Sequence, residues 1–133
     1  MKLTKKEANR LSKLKFQAES GDALSQFELA KYHYNRVNFY VINEDENLKH
    51  SINWIVKSAN QGHRDAYEFA RQIQQRLKTE MDNKVNQINN LVKDELENRK
   101  LGQVTRGLLT GSDAIQSQWN TLKRYSDMLQ KIR

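Results

Sequence analysis

Three histidines, His33, His50 and His63, are the side chains best suited to acid–base or metal chemistry. None shows the His-x-x-x-His spacing with a nearby glutamate that places two imidazoles on one helix face. His50 and His63 fall at helical and turn positions, so a metal role is not favoured. The run Glu44-Asp45-Glu46 could hold a cation or act as a paired acid and base. Read instead as a solvated turn, it favours the N-terminus of the helix that follows, where carboxylates meet the positive end of the helix dipole. Gly107-Leu108-Leu109-Thr110-Gly111 has two glycines but lacks the Lys-Ser/Thr that completes a phosphate-cradling loop. A connection between helices explains it better. The chain has no cysteine, which removes thiol nucleophiles, disulfides and thiolate metal sites. No serine sits in a Gly-x-Ser-x-Gly elbow. The expectation is a chain that is not an enzyme, with no catalytic, cofactor-binding or metal residues.

Charge directs attention to partners. The net charge of +7 is concentrated at the ends: residues 1–15 carry +5, residues 16–100 carry −1 and residues 101–133 carry +3. Lys6, Arg10 and Lys13 line one helix, and Arg99, Lys100, Arg106, Lys123 and Arg124 form a second candidate basic patch. Such ends attract an acidic protein or a phosphate backbone, or simply keep the chain soluble. No nucleic-acid reading motif accompanies them, so nucleic-acid binding remains a secondary expectation. No apolar run follows the basic N-terminal residues and none is long enough for a membrane helix, so no leader, no membrane partner and a cytoplasmic location are expected.

The elements that would carry these residues are helices. There is no proline and there are five glycines, while the apolar share of 37% and mean hydropathy of −0.93 suit a thin helical protein with much surface. Ala8, Leu11, Leu14 and Ala18 recur at helical spacing over about Lys5 to Ser20. Gly21-Asp22 stops that helix and caps the next, from Ala23 to about Val37, whose inward face is expected to hold Leu24, Phe27, Leu29, Ala30 and Tyr34. Asn35 to Asn47 reads as a loop or a short extended piece. A third helix runs from Leu48 to Gln61, with Leu48, Ile52, Trp54, Ile55, Ser58 and Ala59 inward, and Gly62 ends it. From Arg64 onward Ala66, Phe69, Ala70, Ile73, Leu77, Met81, Val85, Ile88, Val92 and Leu96 predict one long helix. Leu101 to Gly111 should break it. Ser112 is then the expected N-cap of a fifth helix, with Ile115, Trp119, Leu122, Tyr125, Leu129 and Ile132 as its stripe. That helix is expected to fold back along the distal part of the fourth, as an antiparallel hairpin.

Two segments repeat at an offset of 41 residues: Ala18-Glu19-Ser20-Gly21-Asp22 and Ala59-Asn60-Gln61-Gly62-His63. Fixed-period similarity of this length marks stacked helical units. Over about residues 16–73 the chain resembles the Sel-one-like repeat, a relative of the tetratricopeptide repeat. The resemblance rests on Trp54-x-x-Lys57-Ser58-Ala59-x-Gln61-Gly62 and on Gly21-Asp22-x-x-Ser25-Gln26-x-x-Leu29-Ala30, with Asn47-x-x-His50-Ser51 between them. It departs where Arg36 and Asn38 replace a glycine turn, where His33 replaces a tyrosine, and where Ala70-Arg71 replaces Leu-Gly. The periodicity and the resemblance together predict an all-α architecture: a short repeat array over 1–73, then a long helix and hairpin over 74–133 that the resemblance does not cover, as one continuous folding unit. The implied role is that of a small adaptor, scaffold or inhibitor that binds a protein partner. Tyr32, Tyr34, Phe39, Tyr40 and Trp119 are the candidate contact residues, and a coiled-coil homodimer is the further alternative.

Overall fold

The computed structural model describes residues 3–100 and 107–133, apart from the side chains of 98–100 and 107–111. Among the described residues there are five α-helices and no strand: α1 (Lys5–Glu19), α2 (Ala23–Tyr34), α3 (Asn47–Asn60), α4 (Arg64–Lys100) and α5 (Gly107–Leu129). The fold is all-α. The connection between α2 and α3 holds a single 3-10 turn, Phe39–Val41, and no extended piece.

The helix ends follow from local hydrogen bonding. At the start of α1 the Thr4 hydroxyl accepts from the Glu7 N–H at 3.1 Å, and the Glu7 carboxylate accepts from the Thr4 N–H at 3.4 Å. That reciprocal pair satisfies two amides the helix leaves unbonded. At the end of α1 the Gly21 N–H donates to the Ala18 carbonyl and the Asp22 N–H to the Gln17 carbonyl, both at 3.1 Å. The end of α3 repeats this pattern: Gly62 donates to Ala59 at 2.9 Å and His63 to Ser58 at 3.4 Å. Gly21 and Gly62 have φ of 101° and 85°, the left-handed conformation such a C-cap requires. The next residue starts the next helix in both cases. Asp22 accepts from the Ser25 N–H at 2.9 Å, and His63 Nδ1 accepts from the Ala66 N–H at 3.2 Å. The 41-residue offset is therefore an offset between two matching corners. Nothing lies within 4 Å of a Cβ added at either glycine. Gly21→Ala and Gly62→Ala should each lower stability by about 1–2 kcal/mol through backbone strain alone, read as a lower urea midpoint at unchanged slope. An unchanged midpoint would contradict this account.

Small residues bring α2 and α3 together. Ser51 and Ser58, two helical turns apart on α3, each donate a hydroxyl to a carbonyl of α2, of Ala30 and of Ala23, both at 2.7 Å. Ala30, Ser51 and Ser58 are buried. The buried side of α2 is Ser25, Gln26, Leu29 and Ala30. Leu24, expected inward, is 53% exposed. The helix is rotated so that Gln26 can donate to the Ala18 carbonyl at 3.0 Å and accept from Gln61 at 2.8 Å, which satisfies its buried amide. Ala8, expected on the inward face of α1, is likewise exposed.

One hydrophobic cluster runs through the molecule. Ala30, Ile42, Leu48, Ile52, Ile55, Ala66, Ala70, Ile73 and Leu77 share it with Leu122, Tyr125 and Leu129 of α5. The fifth helix thus does more than line the distal part of α4: it also packs on α3 and reaches back to the start of α4. The Arg133 N–H donates to Asn60 at 2.8 Å, and the Tyr67 hydroxyl donates to the Arg133 carbonyl at 3.2 Å. Asn43, beside the 3-10 turn, donates to Ser117 at 3.1 Å and accepts from Thr121. The start of α5 also differs from the expectation. Among the described residues α5 already includes Gly107–Gly111, so Ser112 lies inside it instead of capping it. Glycine costs a helix about 1 kcal/mol without forbidding it, and no proline stands there to force a stop. Residues 101–106 of the expected break lie outside the described residues. In α2 the helix ends at Tyr34, three residues before Val37.

Candidate interaction surfaces

Of the five candidate contact aromatics, the four near the α2–α3 connection, Tyr32, Tyr34, Phe39 and Tyr40, are separated by the fold. Tyr34 is half-buried on α2, with its ring edge-on to Phe69 at 5.3 Å, and burial pushes its hydroxyl above the usual tyrosine range. Phe39 packs against the core under the Arg76 guanidinium, 4.4 Å from its ring centre. Those two rings are occupied within the protein. Tyr40, on the same 3-10 turn as Phe39, is 90% exposed. Tyr32 is half-buried on the opposite side of α2, with the Arg36 guanidinium 4.5 Å above its ring.

Tyr32 belongs to a groove of about 680 Å³ between α1 and α2. Leu11 and Leu14 of α1 line it, together with Leu3 just before that helix. Leu11 and Leu14 share one face with Ala18, the one buried residue of α1. Among the described residues α1 packs extensively against α2 alone, so Leu11 and Leu14 stay half-exposed. Arg10 and Lys13 line the groove from α1, Lys31 from α2 and Arg36 from the turn just after α2. Two carboxylates, Glu7 and Glu28, also line it. Lys6 is exposed on α1 and does not line the groove. Sequence reasoning picked out Arg10, Lys13 and Tyr32 but not Lys31 or Arg36. Lys31 directly precedes Tyr32 and Arg36 follows it by four residues, just past the end of α2, and this flanking of Tyr32 by two cations was the available signal.

The second aromatic candidate, Trp119, lines a groove of about 620 Å³ between α4 and α5, with Arg71, Lys78, Met81, Val85 and Lys123. Of the second basic patch, Lys123 and Arg124 lie on α5, while the side chains of Arg99 and Lys100 are outside the described residues. Lys123 stands beside Lys78 and holds Asp127 at 2.6 Å. Arg124 lies 5.7 Å from the Tyr125 ring centre. Arg99 and Lys100 end α4, and 21 helical residues from Lys78 to Arg99 span about 31 Å. Arg106 lies outside the described residues. Further along α4, Val85, Val92 and Leu96 are exposed on one flank.

The potential acid–base residues have structural surroundings. Asp45 accepts from the Asn38 N–H at 2.8 Å and the Asn47 N–H at 2.7 Å, which closes the α2–α3 connection and starts α3. Asp22 is held below the usual carboxylate range, chiefly by the Ser25 hydroxyl and amide. Among the described residues no three His, Asp or Glu side chains stand together as a metal site. No described helix is long and apolar enough to cross a membrane. His33 of α2 and His50 of α3 lie ring to ring at 5.1 Å, with Glu46 4.0 Å from His50. Burial pushes His33 below its usual pKa. The charges of His50, Lys15 and Arg36 act the same way, and Asn47 opposes them. With the folded-state pKa depressed, the unfolded chain takes up this proton first, so stability is complete above about pH 6.5 and falls as pH drops below it. His33→Gln should flatten that fall, measured as urea midpoints between pH 7.5 and 5.5. An identical slope in the variant would rule out His33 as its source.

Compared with protein-family models, with curated proteins and with solved structures, the chain matches none of them.

Proposed function

We propose that this chain is a non-catalytic protein-interaction module, built from helical units similar to Sel-one-like repeats, that acts as a small adaptor, scaffold or inhibitor. The observation that carries the reading is the open groove between α1 and α2. Leu3, Leu11, Leu14 and Tyr32 are presented there beside the basic side chains of Arg10, Lys13, Lys31 and Arg36. Stacked helices bury both flanks, whereas α1 buries one. The matching corners at Gly21 and Gly62 support the repeat reading. The test is affinity capture by the full chain in extract of its native cell, compared with a Tyr32→Ala, Leu14→Ser variant. Specific proteins retained by the parent chain and lost by the variant are expected. Equal capture by both, or none by either, would count against the reading.

A second reading, self-association, is favoured by the exposed flank Val85, Val92 and Leu96, spaced seven and four residues apart on α4. Light scattering at two concentrations would separate the two. A concentration-independent monomer mass removes self-association.

A further inference from the structure

We infer that the groove between α1 and α2 receives an acidic amphipathic helix of a protein partner, an assignment that rests on the interaction reading above and adds the partner's chemistry. The first ground is charge. Arg10 and Lys13 on one wall face Lys31 and Arg36 on the other, and among the described residues none of the four makes an ion pair. Lys31 and Arg36 instead rest over the rings of Phe27 and Tyr32, at 5.0 and 4.5 Å. Like charges held across one groove repel, and a bound anion relieves this. Of the two carboxylates, Glu7 is engaged with Thr4 in the cap of α1, and Glu28 makes no ion pair among the described residues.

The second ground is the apolar lining. Leu3, Leu11, Leu14 and Tyr32 recur along the groove. They match a ligand with its own apolar side at helical spacing, the helix-in-groove mode of recognition. Along α1 the groove runs from Glu7 to Gln17, 10 helical steps or about 15 Å, with Leu3 just ahead of the helix cap, which fits about three turns of a partner helix. Such a helix would set leucine-like side chains on Leu11, Leu14 and Tyr32 and carboxylates along both flanks. A nucleic-acid strand would answer the basic residues but leave the leucines uncovered, and it would meet Glu7 and Glu28.

The experiment uses the full chain, isotope-labelled for amide NMR. The probe is a blocked peptide of about 16 residues, with leucine at i, i+4, i+7 and i+11 and glutamate and alanine elsewhere. The expected result is saturable shift changes confined to α1 and α2. Arg10→Glu combined with Lys13→Glu should weaken binding about tenfold, and Arg36→Glu should weaken it independently. All three side chains are exposed, and unchanged helical circular dichroism would show that the variants fold. The inference is overturned by an absence of shifts in α1 and α2. It is overturned equally if a lysine-for-glutamate peptide binds as well, or if an oligonucleotide gives the same shifts and displaces the peptide. If the peptide fails while native partners are still captured and lost with Tyr32→Ala, Leu14→Ser, the interaction reading stands and the partner class assigned here is wrong. If peptide and capture both fail, both readings fall.

Discussion

Leu122→Ala should destabilise the repeat-like front of the molecule as much as the hairpin that contains the substitution. Leu122 is 1% exposed and belongs to the same buried cluster as Ile52 and Ile55 of α3 and Ile73 of α4. Truncating a fully buried leucine costs about 2–5 kcal/mol, the spread reflecting how far the site collapses. The two tryptophans make the claim measurable, because Trp54 lies on α3 and Trp119 on α5. With Trp119→Phe or Trp54→Phe as background, fluorescence follows one end of the molecule at a time. Both probes should shift to the same lower urea midpoint when Leu122→Ala is added. Two separate midpoints, with only the Trp119 signal moved, would mean that the hairpin unfolds independently and that the shared cluster does not couple them.

The second large effect belongs to the seam between α2 and α3. Ala30 is completely buried, and its carbonyl accepts the Ser51 hydroxyl. Ala30→Leu adds three carbons where two helix backbones are drawn together, so strain of about 1–3 kcal/mol is expected. Ser51→Ala removes one hydrogen bond without adding volume, and should cost about 1 kcal/mol. Urea denaturation of both variants checks the order. A leucine tolerated as well as the Ser51→Ala change would mean that the helices separate at little cost and that the small residues do not set the spacing.

Much of this architecture was legible because its corners depend on residue type. Gly21 and Gly62 announce themselves as turns, and the apolar steps from Ala66 to Leu77 mark one face of a long helix. What was misread depended on distant partners. Leu24 looked inward from its hydrophobicity, yet the buried side of α2 includes Ser25 and Gln26, whose polarity is met by Asp22, Gln17, Ala18 and Gln61. Tyr34 and Phe39 looked available because Phe69 and Arg76, which engage them, lie on α4, more than 30 residues away. The groove was half legible. The spacing of Leu11, Leu14 and Ala18 defines an apolar face, but periodicity does not state how many neighbours cover it. The helical Gly107–Gly111 segment was missed because glycine weighs against a helix by only about 1 kcal/mol and does not forbid one.

The continuity of α4 has a mechanical consequence. Its first turns sit in the core beneath α3, and its later turns form one wall of the hairpin, so 37 residues of a single helix, about 55 Å, join the two ends with no interruption. The front of the molecule and the Trp119 groove are thus mounted on one stiff strut. A load on the hairpin bears directly on the residues that hold the front together. Two bodies seated at opposite ends would be kept at a set distance and angle, as on a ruler, with no tether to let them swing.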